Sequence, residues 1–174
     1  MDCYLIRHTT PEVPEGVCYG QTDVPPTDSF DEEIGLLKAK LPQLDSPAVY
    51  SSPLVRCMKL AETLYPGRVR LEEDLMELNF GRWEMKRWDE IPQAESAEWM
   101  EDWLHRAAPG GESYMEVSRR VVTAFEAIVD EDASPTVIVG HGGSLRIIVA
   151  HVLGLPFERA FSLGLDYGSL SKLT

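Results

Sequence analysis

Short apolar runs alternate along this chain with longer segments in which apolar residues recur every three or four positions. Apolar runs without polar alternation are typical of strands that are covered on both faces of a sheet. The periodic segments between them predict amphipathic helices that pack on that sheet. This order indicates an α/β fold with a mostly parallel sheet. We place strands at 3–6, 48–51, 69–71 and 136–139, with a last edge strand within 166–174.

Residues that start or stop helices mark several of the boundaries. Pro42 ends the helix that follows the first long loop, because proline cannot continue a helix. Ser52 and Pro53 predict a second helix that has Ser52 as its cap and Pro53 as its first residue. Ser113 and Glu116 have the spacing of a capping box for a third helix. The run at 136–139 is the most hydrophobic, so we expect that strand at the centre of the sheet.

Length and charge limit the classes of protein to which this chain can belong. Its 174 residues fit one domain, and no stretch has the roughly 18 apolar residues of a membrane span. The amino terminus does not resemble a secretory signal, so we expect a soluble, cytoplasmic protein. A net charge of −13 argues against nucleic acid and membrane as partners. The three cysteines lack metal-site spacing and are interpreted as buried free thiols.

Cationic side chains follow three of the predicted strands. Arg7 and His8 come directly after the first strand, and His141 follows the strand at 136–139. Arg56 lies in the first turn of the helix after the second strand. Gly142 follows His141 and opens another helix, whose amino terminus attracts anions. Because ligands bind outside the carboxyl ends of parallel strands, these residues predict one site for an oxyanion, such as a phosphate.

A carboxyl group that can donate a proton is the other component that a reaction at this site requires. Glu77 lies between apolar neighbours, where a carboxyl group retains its proton more readily and suits proton donation, and Glu84 is the competing acid. The segment 82–110 contains several tryptophans among many charges, and we interpret it as a lid-like helical insertion. We expect His105 to lie on the surface and His151 to lie either on the surface or in the core. Neither is expected to have a catalytic role.

Together these groups suit phosphoryl transfer through a phosphohistidine. Neutral His8 would attack phosphorus, and protonated Glu77 would give its proton to the leaving oxygen and later activate water. Arg7, Arg56 and His141 would position and neutralise the phosphoryl oxygens. The substrate would be a small phosphomonoester, and the reaction would need neither a metal nor a cofactor.

The same motifs, in the same order, resemble the histidine phosphatase superfamily, which includes the cofactor-dependent phosphoglycerate mutases. The resemblance covers most of the chain and rests on five segments, namely 5–9, 51–56, 77–84, 109–113 and 140–146. It implies a three-layer α/β/α sandwich with a mostly parallel sheet, formed as one domain over residues 1–174. The resemblance also implies the roles given above for Arg7, His8, Arg56, Glu77 and His141.

Within that family, residues 7–23 resemble the alpha-ribazole phosphatase branch, which acts in cobalamin assembly. This branch implies alpha-ribazole 5′-phosphate as substrate, and a broad small-molecule phosphatase or a mutase-like enzyme is the alternative. Pro14 stands where many members have an asparagine, so that phosphate contact is either missing or supplied by Thr9 or Gln21. Met85 replaces the glycine that usually follows the Trp-Glu pair, which would alter the entry of the chain into the lid.

Other classes of function also fit parts of the sequence. A metal-dependent hydrolase could use His8, His141 and nearby acids, although no HxH, DxH or HExxH spacing is present. The Gly-Gly-Ser at 142–144 faintly resembles a serine-hydrolase elbow, but Arg146 occupies the position that needs glycine. A binding module that has lost catalysis is the third alternative. The oligomeric state is left open by the sequence.

Overall fold

The computed structural model describes residues 2–131 and 135–174. It contains a five-stranded sheet with the order β3-β2-β4-β1-β5. Its strands are β1 (Cys3–Arg7), β2 (Ala48–Ser51), β3 (Val69–Leu71), β4 (Thr136–Gly140) and β5 (Leu170–Leu173). The first four strands are parallel, whereas β5 pairs antiparallel with β1 at the edge. The predicted α/β fold with β4 at the centre and a mostly parallel sheet is confirmed.

Helices cover both faces of this sheet. They are α1 (Phe30–Lys40), α2 (Val55–Leu64), α3 (Gln93–Glu101), α4 (Tyr114–Glu131) and α5 (Gly142–Val152). Alternate residues of the strands enter two separate cores, one with α1 and α2 and the other with α4 and α5. This arrangement has three layers, α/β/α, because β1, β2 and β4 are buried on both faces. Within the described residues, no helix combines the length and apolarity needed to cross a bilayer.

Two of the predicted helix starts can be compared with the observed ones. The capping box is confirmed, because the Glu116 carboxylate accepts hydrogen bonds from the backbone N–H and hydroxyl of Ser113. The start predicted at Pro53 is wrong, since α2 begins at Val55 after an extended Leu54. Ser52 Oγ still accepts from the Leu54 N–H at 3.3 Å. The helix therefore begins two residues later than predicted, and Ser52 directly follows the end of β2.

The parallel strands end at one edge of the sheet. In the register of β1 with β4, Arg7 pairs with Gly140, so His8 and His141 both leave the sheet at the same level. Ser51 at the end of β2 pairs with Val139. This alignment places the loops that follow β1, β2 and β4 side by side and builds the site described below.

The long loop at 11–27 and the tryptophan-rich segment support each other. Cys18 donates its N–H to the Lys86 carbonyl at 2.8 Å, and Met85 donates back to the Cys18 carbonyl at 2.7 Å. Met85 has φ +64°, a left-handed conformation that glycine adopts without strain. The methionine side chain is accommodated in this conformation because it is exposed.

Candidate active site

A cavity opens at the carboxyl edge of the sheet, where the sequence predicts the oxyanion site. Its lining includes Arg7, His8, Arg56, Glu77 and Gly142. His141 lies directly behind this lining, with its ring centroid 5.2 Å from that of His8. The structure thus brings the predicted cationic groups and the predicted acid into one place.

His8 is held with one ring nitrogen facing its own backbone. Its side chain is buried, and Nδ1 lies 2.7 Å from the Thr9 carbonyl oxygen. Because a carbonyl can only accept, Nδ1 carries the proton and Nε2 of the neutral ring has a free lone pair. Burial, with the charges of Arg56 and Arg7, lowers the pKa of His8 to about 3. The imidazole is therefore neutral across the physiological range.

His141 is also neutral, which changes one of the expectations from sequence. Its ring is completely buried, and Nε2 lies 2.8 Å from Ser52 Oγ. Burial, together with His8 and the two arginines, lowers the pKa of His141 well below the usual range for histidine. On sequence alone, His141 is grouped with the cationic residues, whereas the folded protein holds it uncharged until a ligand supplies negative charge.

These buried neutral histidines make the stability of the protein sensitive to acid. In the unfolded chain each imidazole titrates near pH 6.5, whereas folded His8 titrates near 3. Below pH 6.5 the unfolded chain binds the extra proton, so the free energy of unfolding falls as the pH falls. We expect His8 to account for about 1.4 kcal/mol of the stability lost between pH 7.5 and 5.5.

Urea unfolding of the wild type and of His8→Asn at the two pH values checks this expectation. Because asparagine does not titrate, the loss of stability should be smaller in the variant by that amount. An equal loss in both proteins would mean that His8 is not held neutral.

The two arginines are fixed by backbone carbonyls. Arg56 is fully buried and donates from its terminal nitrogens to the carbonyls of Gly20, at 2.6 Å, and Thr22, at 3.0 Å. Arg7 donates to the Leu165 carbonyl at 2.5 Å, and the Tyr167 ring lies 3.9 Å from its guanidinium carbon. Because both side chains are anchored from behind, they hold positive charge beside His8 at little further entropic cost.

Several buried polar atoms around His8 have no protein partner. Within the described residues, Arg7 Nε, Arg56 Nε and Thr9 Oγ1 are buried without a hydrogen bond. Since buried donors are nearly always paired, such a cluster indicates a bound oxygen-rich group. Thr9 is fully buried and is absent from the lining of the cavity.

Glu77 occupies surroundings more polar than its sequence neighbours suggest. Its carboxylate accepts from the N–H of Gly143 at 2.8 Å and from the N–H of Leu78 at 3.0 Å. The expectation of an apolar environment is therefore wrong, because the amino terminus of α5 folds over this side chain. A Cβ atom at Gly143 would overlap the Glu77 carboxylate, so only glycine permits this approach.

The backbone of Glu77 is held by residues far away in the sequence. Its carbonyl accepts from Arg120 at 2.9 Å and from the side-chain amide of Gln21 at 3.1 Å. The Glu112 carboxylate joins both of these residues, with an ion pair to Arg120 at 2.8 Å. Gln21 was expected to contact phosphate, but its amide is used here and it is absent from the cavity lining. It positions the acid instead.

The two remaining candidates from the sequence have structural positions. Glu84, the competing acid, accepts hydrogen bonds from the backbone of Phe80, Gln21 and Thr22 and from the Thr22 hydroxyl. Its carboxylate thereby holds the loop beside Arg56 and does not line the cavity. Ser144, on which the serine-hydrolase alternative rested, is fully buried and accepts from the His141 N–H at 3.1 Å. It caps α5.

The other two histidines lie outside the cavity. His105 is exposed and pairs with Asp102 at 2.8 Å, as expected for a surface residue. His151 is partly buried and lies 3.2 Å from Glu126. Pro14, which replaces the family asparagine, is exposed in the loop. None of the three is in the lining of the cavity beside His8.

Sequence reasoning missed several residues that line this cavity. They include Tyr114, Arg146 and Phe161. Arg146 had a detectable signal, because it follows Gly142 by four residues and shares its face of α5. Tyr114 and Phe161 come from segments that meet only in the folded chain, so their spacing in the sequence carried no signal.

The model of the histidine phosphatase superfamily (branch 1) matches residues 3–174. The chain belongs to this superfamily. The protein is therefore a phosphatase, an enzyme that acts on small phosphorylated substrates.

Individual relatives are similar along most of their length. The Escherichia coli (strain K12) adenosylcobalamin/alpha-ribazole phosphatase is 26% identical over 181 residues, which cover 99% of this chain and 89% of that protein. A Shigella boydii protein named "Probable phosphoglycerate mutase GpmB" is 29% identical, covering 99% and 84%. The crystal structure of the alpha-ribazole phosphatase from Shigella flexneri superposes with a TM-score of 0.89 at 28% identity, covering 99% and 89%. This histidine phosphatase therefore has the phosphoglycerate mutase-like fold.

Proposed function

We propose that this protein is a metal-independent phosphomonoesterase that works through a phosphohistidine at His8 and acts on alpha-ribazole 5′-phosphate. The observation that carries the mechanism is the contact of His8 Nδ1 with the Thr9 carbonyl. It fixes the proton on Nδ1 and leaves the Nε2 lone pair free for attack. The low pKa of His8 keeps this nitrogen unprotonated.

In the first step His8 Nε2 forms a bond to phosphorus while the bond from phosphorus to the ester oxygen breaks. Glu77 in its carboxylic acid form gives a proton to that oxygen, and the alcohol departs. In the second step Glu77 removes a proton from water, whose oxygen attacks phosphorus. The bond from phosphorus to Nε2 then breaks, which releases inorganic phosphate and restores neutral His8. No metal or cofactor takes part in either step.

The charge on the phosphoryl oxygens is balanced by groups that are already in place. Arg7 and Arg56 contribute fixed positive charge and unpartnered Nε–H donors, and Thr9 contributes a hydroxyl. A phosphate dianion would also favour protonation of His141, because an opposite charge nearby stabilises the charged form. Gly142 exposes the amino terminus of α5 to the same oxygens. Such preorganised donors stabilise the transition state without reorganisation.

The named relatives and the cavity wall support the proposed substrate. Two of the similar proteins carry the alpha-ribazole name. Leu78, Phe80 and Phe161 supply apolar surface to the lining of the cavity, on which a flat base can pack. Phe80 also contacts Trp88, with ring centroids 5.6 Å apart. In this proposal residues 1–174 form a single catalytic domain, and the segment 82–110 acts as a lid over the leaving group.

Comparison of kcat/KM across several esters in EDTA tests both the metal-independent mechanism and the proposed substrate. The panel contains alpha-ribazole 5′-phosphate, p-nitrophenyl phosphate and 3-phosphoglycerate. We expect kcat/KM to be at least about 100-fold higher for the ribazole ester. This ratio corresponds to about 3 kcal/mol of binding free energy from the leaving group. Similar values for all three would identify a broad phosphatase with the same mechanism. A preference for 3-phosphoglycerate would support the activity named for the Shigella boydii relative.

A further inference from the structure

One polar atom in the cavity has no role in the reaction above. Tyr114, the first residue of α4, is 1% exposed and lines the cavity. Its hydroxyl is buried and has no hydrogen-bond partner among the residues that the structure describes. Burying a hydroxyl without a partner is costly, so an unpaired one that faces a cavity indicates a bound ligand.

The ring of Tyr114 is held rigidly in place. It packs against Trp103 and Phe161, with ring centroids at 5.1 and 5.3 Å. Burial and the nearby Glu77 carboxylate raise the pKa of the Tyr114 phenol above its usual value. The hydroxyl is therefore protonated at neutral pH and can both donate and accept a hydrogen bond.

Arg146 lines the same part of the cavity. Its Nε donates to the Leu163 carbonyl at 2.9 Å, and within the described residues its terminal nitrogens make no hydrogen bond. A Cβ atom at Gly142 would lie 2.8 Å from the Nη1 of Arg146 and 3.1 Å from the guanidinium carbon of Arg7. The missing side chain thus lets two guanidinium groups lie side by side, which is favourable only with an acceptor between or beside them.

We propose that Tyr114 and Arg146 form a subsite for the leaving group. This subsite binds an uncharged oxygen of a sugar, either a hydroxyl or the ring oxygen. The proposal rests on the phosphomonoesterase function and specifies its substrate class. Arg146 donates to the sugar oxygen, and Tyr114 donates or accepts as the hydroxyl requires. An alcohol suits this pair because its hydroxyl can donate to the Tyr114 oxygen while it accepts from Arg146, whereas a carboxylate can only accept.

The ratio of kcat/KM for ribose 5-phosphate to that for phenyl phosphate tests the subsite in Tyr114→Phe and Arg146→Met. Both esters need the same chemistry at phosphorus, but only ribose offers oxygen acceptors. We expect the ratio to fall about tenfold in Tyr114→Phe, the effect of one neutral hydrogen bond. It should fall at least as much in Arg146→Met, because a charged donor is lost. Tyr65→Phe and Arg119→Met, which change residues outside the cavity, should keep the wild-type ratio.

The other outcomes are equally informative. Equal losses for both esters, with a lower melting temperature, would show that Tyr114 and Arg146 serve only the packing of the site and would overturn the proposal. A far larger loss for 3-phosphoglycerate than for ribose 5-phosphate in Arg146→Met would overturn it in favour of a carboxylate subsite. If the wild type shows no preference for the ribazole ester but the ribose ratio falls in both variants, the subsite stands and the proposed substrate fails.

Discussion

His8→Ala is expected to lower kcat/KM for every phosphomonoester by at least about 10⁴-fold, the order of effect seen when a covalent nucleophile is removed. The loss should not depend on the leaving group, because formation of the bond from Nε2 to phosphorus precedes every product. Steady-state release of inorganic phosphate in EDTA measures it. Acid-labile, base-stable phosphate on the protein after rapid quenching should be present in the wild type and absent from the variant.

His105→Ala is the matched control for this experiment. His105 is exposed and pairs with Asp102 outside the cavity, so its removal should leave turnover at the wild-type level. The melting temperature of both variants should be measured alongside. Substantial phosphate release by a folded His8→Ala variant would mean that water attacks phosphorus directly and would overturn the phosphohistidine mechanism.

Glu77→Gln is expected to produce the second large effect, and this effect should depend on the alcohol that leaves. Glutamine cannot supply a proton, so kcat/KM for sugar phosphates should fall by about 10²–10⁴-fold. p-Nitrophenyl phosphate should lose much less in the first step, since its leaving group departs as a stable anion. A plot of log kcat/KM against the pKa of the leaving alcohol should therefore be steeper in the variant than in the wild type.

Glu84→Gln separates the role of an acid from that of a structural carboxylate. Its carboxylate accepts hydrogen bonds from the Phe80 turn and the loop at Gln21 and Thr22, beside Arg56. We expect this variant to lose activity on all esters to a similar extent, because the loop loosens around the phosphate. A uniform loss in Glu77→Gln, with a strong dependence on the leaving group in Glu84→Gln, would exchange the two assignments.

Much of the candidate site could be predicted from the sequence because of where buried strands end. Arg7, His8 and His141 each follow an apolar run, and parallel strands deliver their carboxyl ends to the same edge. Arg56 follows the same rule at the start of α2. These inferences use only local order along the chain and the geometry of a parallel sheet, and the structure brings the four residues together.

The start of α2 and the surroundings of Glu77 could not be predicted in this way. Pro53 is suited to a first helical turn, but the chain stays extended through Leu54 to leave the sheet. Apolar neighbours in the sequence suggested an apolar site for Glu77, whereas its nearest donor is the backbone N–H of Gly143, more than sixty residues away. Local propensity does not report contacts of this kind.

By itself, the sequence determined the alternation of strands and helices, the mostly parallel sheet and the edge at which cationic residues gather, because these features follow from short-range hydrophobic patterns. Only the tertiary structure decided the charge of His141, the use of Gln21 to hold Glu77, and the arrival of Tyr114 and Arg146 in the cavity. Burial sets the first of these, and packing between distant segments sets the others. Both depend on which parts of the chain meet, and no local pattern encodes that.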